Sequence, residues 1–262
     1  MIKNCPAGKT IVTASSGNHG FAVAYVCSLL GRSAIVYVPE TANPDKKSAI
    51  KECGAELREV GRNYDEAYEE AMRFCKRADV LFVHPYADPM VMAGQGTVGL
   101  EIIEDRPEVD AVVLPIGGGG LIGGTAFALK NLKKSVRVIG VQSENAPSMS
   151  EAFRLGRPVK VDLTPTLADG MVVSLTTDAI LEVVKECVDE IVLVSDSDLE
   201  KAMLTLLKKD HVLAEPSGAA SVAAILNGAA GKGREIAAVV SGGNISIDYL
   251  SKLLQTDLLK TT

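Results

Sequence analysis

The chain has 262 residues, 47% of them hydrophobic and 23% charged, enough to bury the core of one large domain or two smaller ones. Its net charge is -6 and its lysines and arginines are scattered among acidic residues, so nucleic acid finds no basic surface. Apolar runs such as residues 34–38 and 111–116 end at Pro, Gly or charge, far short of the roughly 20 residues of a membrane-spanning helix. Met1 to Pro6 lacks the apolar core of a signal peptide, so a cytoplasmic protein is expected. Cys5, Cys27, Cys53, Cys75 and Cys187 form no CxxC pair and have no companion histidine spacing, and read as reduced thiols rather than zinc ligands.

From Thr10 to about Pro85, short β-branched runs alternate with helical periods, the pattern of parallel strands joined by crossover helices. Strands are predicted over residues 11–14, 34–38, 56–60 and 81–84, with helices over 20–30, 46–53 and 64–77. Gly31 and Gly54 stand where helices stop. A helix is predicted over 88–104, followed by Ala111-Val112-Val113-Leu114-Pro115-Ile116, too apolar for a half-exposed strand and therefore central in a parallel sheet. Further strands are predicted over 136–141, 190–194 and 236–240, with helices over 121–132, 177–188, 196–208 and 217–226. Residues 157–170 carry Pro158 and Pro165 without a period and read as an ordered connection. The expected division is a smaller α/β domain over 1–87 and a larger one over 88–262.

Three segments carry chemistry. Thr13-Ala14-Ser15-Ser16-Gly17-Asn18-His19-Gly20 joins a strand end to a helix start, where unpaired N–H groups face an anion such as a carboxylate. Plain helix capping by Ser15, Ser16 and Asn18 is the alternative. Gly117-Gly118-Gly119-Gly120-Leu121 follows the most apolar strand. Successive glycines can turn several N–H groups toward one phosphate, yet the segment is neither a P-loop nor a GxGxxG fingerprint. Val239-Val240-Ser241-Gly242-Gly243-Asn244 is again a strand running into a glycine turn. One phosphate site with two polar strand ends suits a phosphorylated cofactor with a polar ring.

These segments, with His84-Pro85-Tyr86, Ala93-Gly94-Gln95-Gly96-Thr97, Ala168-Asp169-Gly170 and Glu215-Pro216-Ser217-Gly218-Ala219 in this order, span Thr13 to Asn244. The set resembles the serine/threonine dehydratase and serine racemase family of fold-type II pyridoxal-phosphate enzymes. The resemblance implies two three-layer α/β domains with mainly parallel sheets (tryptophan synthase β-like), the larger one binding the cofactor. It implies an ammonia-lyase that takes L-threonine or L-serine to a 2-oxo acid and ammonia, with serine racemase as the alternative activity, working as a homodimer.

By the same resemblance, Gly117, Gly118, Gly119, Gly120 and Leu121 hold the phosphate of pyridoxal 5'-phosphate, Asn18 donates to the pyridine 3-oxygen and Ser241 faces the pyridine nitrogen. Ser15, Ser16, Gly17, Asn18 and His19 cradle the substrate carboxylate, and Ser16 is the candidate acid or base on the substrate face opposite the lysine. The Schiff-base lysine of that family would precede Met1, and Lys9, at the wrong end of a strand, is no substitute. The expectation is a chain lacking the N-terminal part of its larger domain and inactive as written. It would then be a truncated chain first of all, or one half of a split enzyme completed by an N-terminal fragment, or a noncatalytic relative that binds cofactor or amino acid. At the positions of a metal site found in some relatives stand Gln142 and Ser148, so no metal is expected.

Overall fold

The computed structural model describes residues 1–77 and 79–261, with side chains up to Thr256. It separates into two compact units, Met1–Val91 and Met92–Thr262. No described helix is long and apolar enough to cross a membrane.

The first unit runs β1 (Thr10–Ala14), α1 (Asn18–Leu29), β2 (Ala34–Val38), α2 (Pro44–Glu52), β3 (Glu56–Glu59), α3 (Tyr64–Cys75) and β4 (Val80–Phe82), after a short turn of helix at Ile2–Asn4. All strands are parallel, in the order β3-β2-β1-β4. Alternate residues of β1 and β2 face opposite ways. Ile11, Ala34, Val36 and Val38 pack with Val23, Ala24 and Cys27 of α1 and Ile50 of α2, whereas Val12, Ala14, Ile35 and Tyr37 pack with Ala71 and Phe74 of α3. Helices thus cover both faces, which is why β2 is buried along its whole length. α2 starts two residues before its predicted start because Pro44 sits at its first position and the Asn43 side chain accepts from the Asp45 N–H. Gly31 and Gly54 adopt φ of +60° and +81° one residue beyond the caps Leu30 and Cys53.

α4 (Pro89–Asp105) leads into the second unit. There follow β5 (Ala111–Pro115), α5 (Gly120–Leu132), β6 (Arg137–Ser143), α6 (Ser148–Leu155), α7 (Asp178–Cys187), β7 (Glu190–Val194), α8 (Asp196–Thr205), α9 (Pro216–Leu226), β8 (Ile236–Ala238) and α10 (Ile247–Thr261). This sheet too is all parallel, in the order β7-β6-β5-β8. β5 is buried throughout, as its composition requires. Val113, Ile139, Val141 and Val194 pack on one face against Leu199, Ala202, Ala219, Ala220 and Ala223 of α8 and α9, while α5 lies on β5 and α7 on α5. Gly96 and Gly99 let α4 approach α5 so closely that a Cβ at Gly99 would meet the Thr125 carbonyl oxygen at 2.7 Å. Residues 157–168 form no helix or strand but are tied down by Val161 N–H to the Ser174 carbonyl and Thr164 N–H to the Asn145 carbonyl, both 3.0 Å. α8 passes into a π-helical turn, Leu206–Asp210, ending at His211 with φ +57°.

Candidate functional site

In each sheet the chain builds outward in one direction from a strand and then returns to that strand's other side. The order reverses between β1 and β4 in the first unit, and between β5 and β8 in the second. Ligands of open α/β sheets bind outside the C-terminal ends of the two strands at such a reversal. All three segments singled out from the sequence leave these strand ends. Ser15, Ser16, Gly17, Asn18 and His19 leave β1, Gly117 to Leu121 leave β5, and Ser241 follows β8.

In the first unit Gly17 is the N-cap of α1 and no side chain caps that helix. The Ser15 hydroxyl instead accepts from the Gly17 N–H at 3.2 Å. Gly20 is required: a Cβ there would overlap the Ser15 carbonyl oxygen and stand 3.2 Å from Val36 Cγ1. Across the reversal, the carbonyl after β4 receives both the Thr13 hydroxyl, 2.8 Å, and the His19 Nε2–H, 3.2 Å, at Val83. A carbonyl only accepts, so the His19 proton sits on Nε2 and Nδ1 keeps its lone pair. Burial holds this ring below the ordinary imidazole range, the Val83 bond opposing it in part. His84 Nδ1 accepts from the N–H groups of Tyr86 and Ala87 at 3.2 and 2.9 Å, and the His84 and Tyr86 rings meet edge to face at 4.7 Å. Burial, with His19 nearby, pushes His84 down to about 4 against the pull of Asp88. Burial also pushes the Tyr86 phenol up to about 12. Around neutral pH this crevice therefore offers neutral donors and acceptors beside the first turn of α1.

The second crevice is made of backbone. Gly119, the N-cap of α5, has φ +95°, and a Cβ on it would stand 2.5 Å from Ile180 Cγ2 and 2.8 Å from Met149 Cε. A Cβ on Gly117 would stand 2.5 Å from the Gly170 carbonyl oxygen. The turn after β8 is fixed by the Glu215 N–H to the Gly242 carbonyl, 3.0 Å, and Gly218 presses against Gly242. A Cβ on Gly170 would stand 3.0 Å from the hydroxyl of Ser217, which is buried without a hydrogen-bond partner among the described residues. The structure thus brings Gly170, Ser217 and Gly218 against the tetraglycine and Ser241 turns. The sequence placed them in the pattern but gave them no role, because only the tertiary fold shows which residues touch. A left-handed glycine at a helix start, N–H groups of that helix's first turn, and a partnerless buried hydroxyl fit a phosphorylated ring.

Lys9 is paired with Asp79 at 2.6 Å, at the N-terminal end of β1 and away from the crevice. Gln142 and Ser148 are fully buried. Gln142 Oε1 accepts from the Ser150 N–H at 2.8 Å, and its Nε2 and the Ser148 hydroxyl have no hydrogen-bond partner among the described residues. Such neutral groups present no charged oxygen to a divalent cation, and the described residues hold no cluster of three or more His, Cys, Asp or Glu suited to a metal.

Residues 2–242 match the model of the family described as "Pyridoxal-phosphate dependent enzyme". The chain is 44% identical over 251 residues to the L-threonine ammonia-lyase of Thermotoga maritima, a match that takes in 96% of this chain and 63% of that protein. The chain thus spans under two thirds of that relative's length. Among solved structures it is similar to the processed form of threonine deaminase isoform 2 from Solanum lycopersicum, with a TM-score of 0.90, 31% identity and coverage of 97% of this chain and 76% of that one. It is also similar to maize serine racemase, with a TM-score of 0.87, 30% identity and coverage of 96% and 78%. With the ordered motifs lying on the strand ends where this architecture binds ligands, the chain belongs to the pyridoxal-phosphate dependent enzyme family.

Proposed function

We propose that this chain carries the cofactor- and substrate-holding parts of an ammonia-lyase that converts L-threonine or L-serine to a 2-oxo acid and ammonia using pyridoxal 5'-phosphate. One observation carries it: the motif pairs flank the strand-order reversal in each sheet, in a chain 44% identical to an L-threonine ammonia-lyase. When bound, the cofactor supplies an electron sink for the pair left as the Cα proton departs.

The rest falls to residues of this chain. N–H groups of Gly118, Gly119, Gly120 and Leu121, with Gly117 opening the turn, are assigned to the phosphate. Ser241 is assigned to the pyridine nitrogen. A neutral hydroxyl there would not keep that nitrogen protonated, which would make the bound ring a weaker electron sink than one facing a carboxylate. Ser15, Ser16, Gly17, Asn18 and His19 are assigned to the substrate carboxylate, with Asn18 also on the cofactor 3-oxygen. Since the His19 Nε2–H is given to the Val83 carbonyl and its Nδ1 only accepts, His19 would meet the carboxylate through its backbone N–H in the first turn of α1. Racemisation is the second reading, favoured by Ser16, whose hydroxyl can return a proton.

Lys9 being paired elsewhere, no lysine of this chain is assigned to the cofactor aldehyde, and binding by the chain is noncovalent. A homodimer in the cytoplasm completes the proposal. Its support is the exposed row Phe21, Tyr25 and Leu29 on α1, with the first two rings stacked at 6.1 Å. The test is spectroscopic: the cofactor's absorbance should shift on titration into the chain without a borohydride-stable lysine adduct, and the protein as the cell makes it should form 2-oxobutanoate from L-threonine. No absorbance change together with no keto acid would overturn the reading.

A further inference from the structure

We propose that Ser217 is a further cofactor-binding residue, its hydroxyl bonding a polar atom of the bound ring. Ser217 is 93% buried, by its 7% exposure, and its oxygen has no hydrogen-bond partner among the described residues. A buried hydroxyl without a partner destabilises the fold that keeps it. Serines inside helices usually bond a carbonyl one turn back. Ser217 is the second residue of α9, where no helical carbonyl precedes it.

Its surroundings say which part of a ligand it meets. On one side it packs on Gly170, whose carbonyl lies against Gly117 at the entry of the tetraglycine turn. On the other, its neighbour Gly218 presses on Gly242, the residue after Ser241. Ser217 therefore lies between the turn assigned to the phosphate and the one assigned to the pyridine nitrogen, the span a ring occupies. Gly170 has no side chain to shield it, and a Cβ there would stand 3.0 Å from the hydroxyl.

This inference rests on pyridoxal 5'-phosphate being the ligand of the second unit. Pyridoxal 5'-phosphate, pyridoxal and inorganic phosphate are each dialysed to equilibrium against the chain and its Ser217→Ala and Ser217→Cys variants, and the melting temperature of each ligand-free protein is recorded. The parent should bind pyridoxal 5'-phosphate, and both variants should bind it and pyridoxal about tenfold more weakly, or 1.4 kcal/mol, with phosphate unaffected. Ligand-free Ser217→Ala should melt no lower than the parent, since the variant removes an unsatisfied group. Unchanged affinity for pyridoxal 5'-phosphate, or weakening that extends to inorganic phosphate, overturns the assignment. So does a lower melting temperature in Ser217→Ala with binding restored by Ser217→Cys, which marks a packing role. A parent that binds none of the three probes overturns the cofactor reading itself, and Ser217 with it.

Discussion

The two crevices occupy the same topological position and are built from opposite materials. In the first unit, the groups at the reversal are side chains: two histidines held neutral, a tyrosine and two serines, with His19 and Thr13 meeting at the Val83 carbonyl and His84 Nδ1 holding the Tyr86 and Ala87 N–H groups. In the second they are mostly backbone, at glycines where a Cβ would strike Gly170, Ile180 or Met149. Side chains can be exchanged for others with similar donors. A surface of bare backbone tolerates no exchange. On the proposed function, the first crevice would be the one in which substrate preference can be tuned, and the second the one that holds a constant ligand.

At Gly20 the first crevice also depends on a missing side chain. Gly20→Ala would drive a Cβ into the Ser15 carbonyl oxygen, and a loss of about 3 kcal/mol in unfolding free energy is expected, read as a lower urea midpoint. A midpoint equal to that of the parent would show the loop moves freely. Gly118→Asp should weaken pyridoxal 5'-phosphate binding at least ~100-fold, about 2.7 kcal/mol, by setting a carboxylate against the phosphate. The far-ultraviolet circular dichroism should be kept. An unchanged titration would make the tetraglycine segment a mere turn.

Ser16→Ala is milder by this logic. In the protein as the cell makes it, pyruvate formation from L-serine should stay within about tenfold, roughly 1.4 kcal/mol in barrier, while D-serine disappears. Equal D-serine from both forms would leave Ser16 only the carboxylate. His84→Asn keeps an acceptor for the Tyr86 and Ala87 N–H groups but removes the titration. The folded ring, at about 4, lies below its ordinary 6.5, so an unfolded chain takes up the proton first as pH falls. Stability from the neutral ring is whole above pH 6.5 and declines toward pH 4. The decline should be on the order of 1 kcal/mol after discounting for screening of a part-exposed ring, and denaturation midpoints across that window should flatten in the variant. An identical slope in both proteins would place the titration elsewhere. Smallest of all, Lys9→Ala, which breaks a solvent-exposed pair with Asp79, should leave melting temperature and cofactor binding unchanged. A lost cofactor titration would return Lys9 to the site.

Much of this was legible in the sequence, for identifiable reasons. The runs Ile11 to Ala14, Ala34 to Val38 and Ala111 to Pro115 announce strands because both faces are buried and every residue must be apolar or small. Three edge strands were less legible: predicted 56–60, 81–84 and 236–240 become Glu56–Glu59, Val80–Phe82 and Ile236–Ala238, since pairing on one side only leaves composition loosely constrained, whereas β7, also at an edge, keeps its predicted bounds. α6 is one short amphipathic stretch after the turn at Pro147, and α10 lies past the last motif; neither was foreseen. Local signals cannot report strand order. That β4 and β8 return beside β1 and β5 is decided by packing, and with it the partners of His19 and the neighbours of Gly117 and Ser217.

Strand order also carries a consequence for how the molecule assembles. In the first sheet β1, β2 and β3 join successive neighbours in the chain, whereas β4 must come back to pair Ile11 with Leu81. In the second, β8 must come back to pair Val113 with Ala238. Closing the longer loops is entropically dearer, and contacts distant in sequence form slowly. The strands that complete each reversal are therefore expected to dock last, and each crevice is complete only once they have. During refolding, helical signal should recover before the chain can take up a ligand, so that acquisition of binding times the final docking step of each unit.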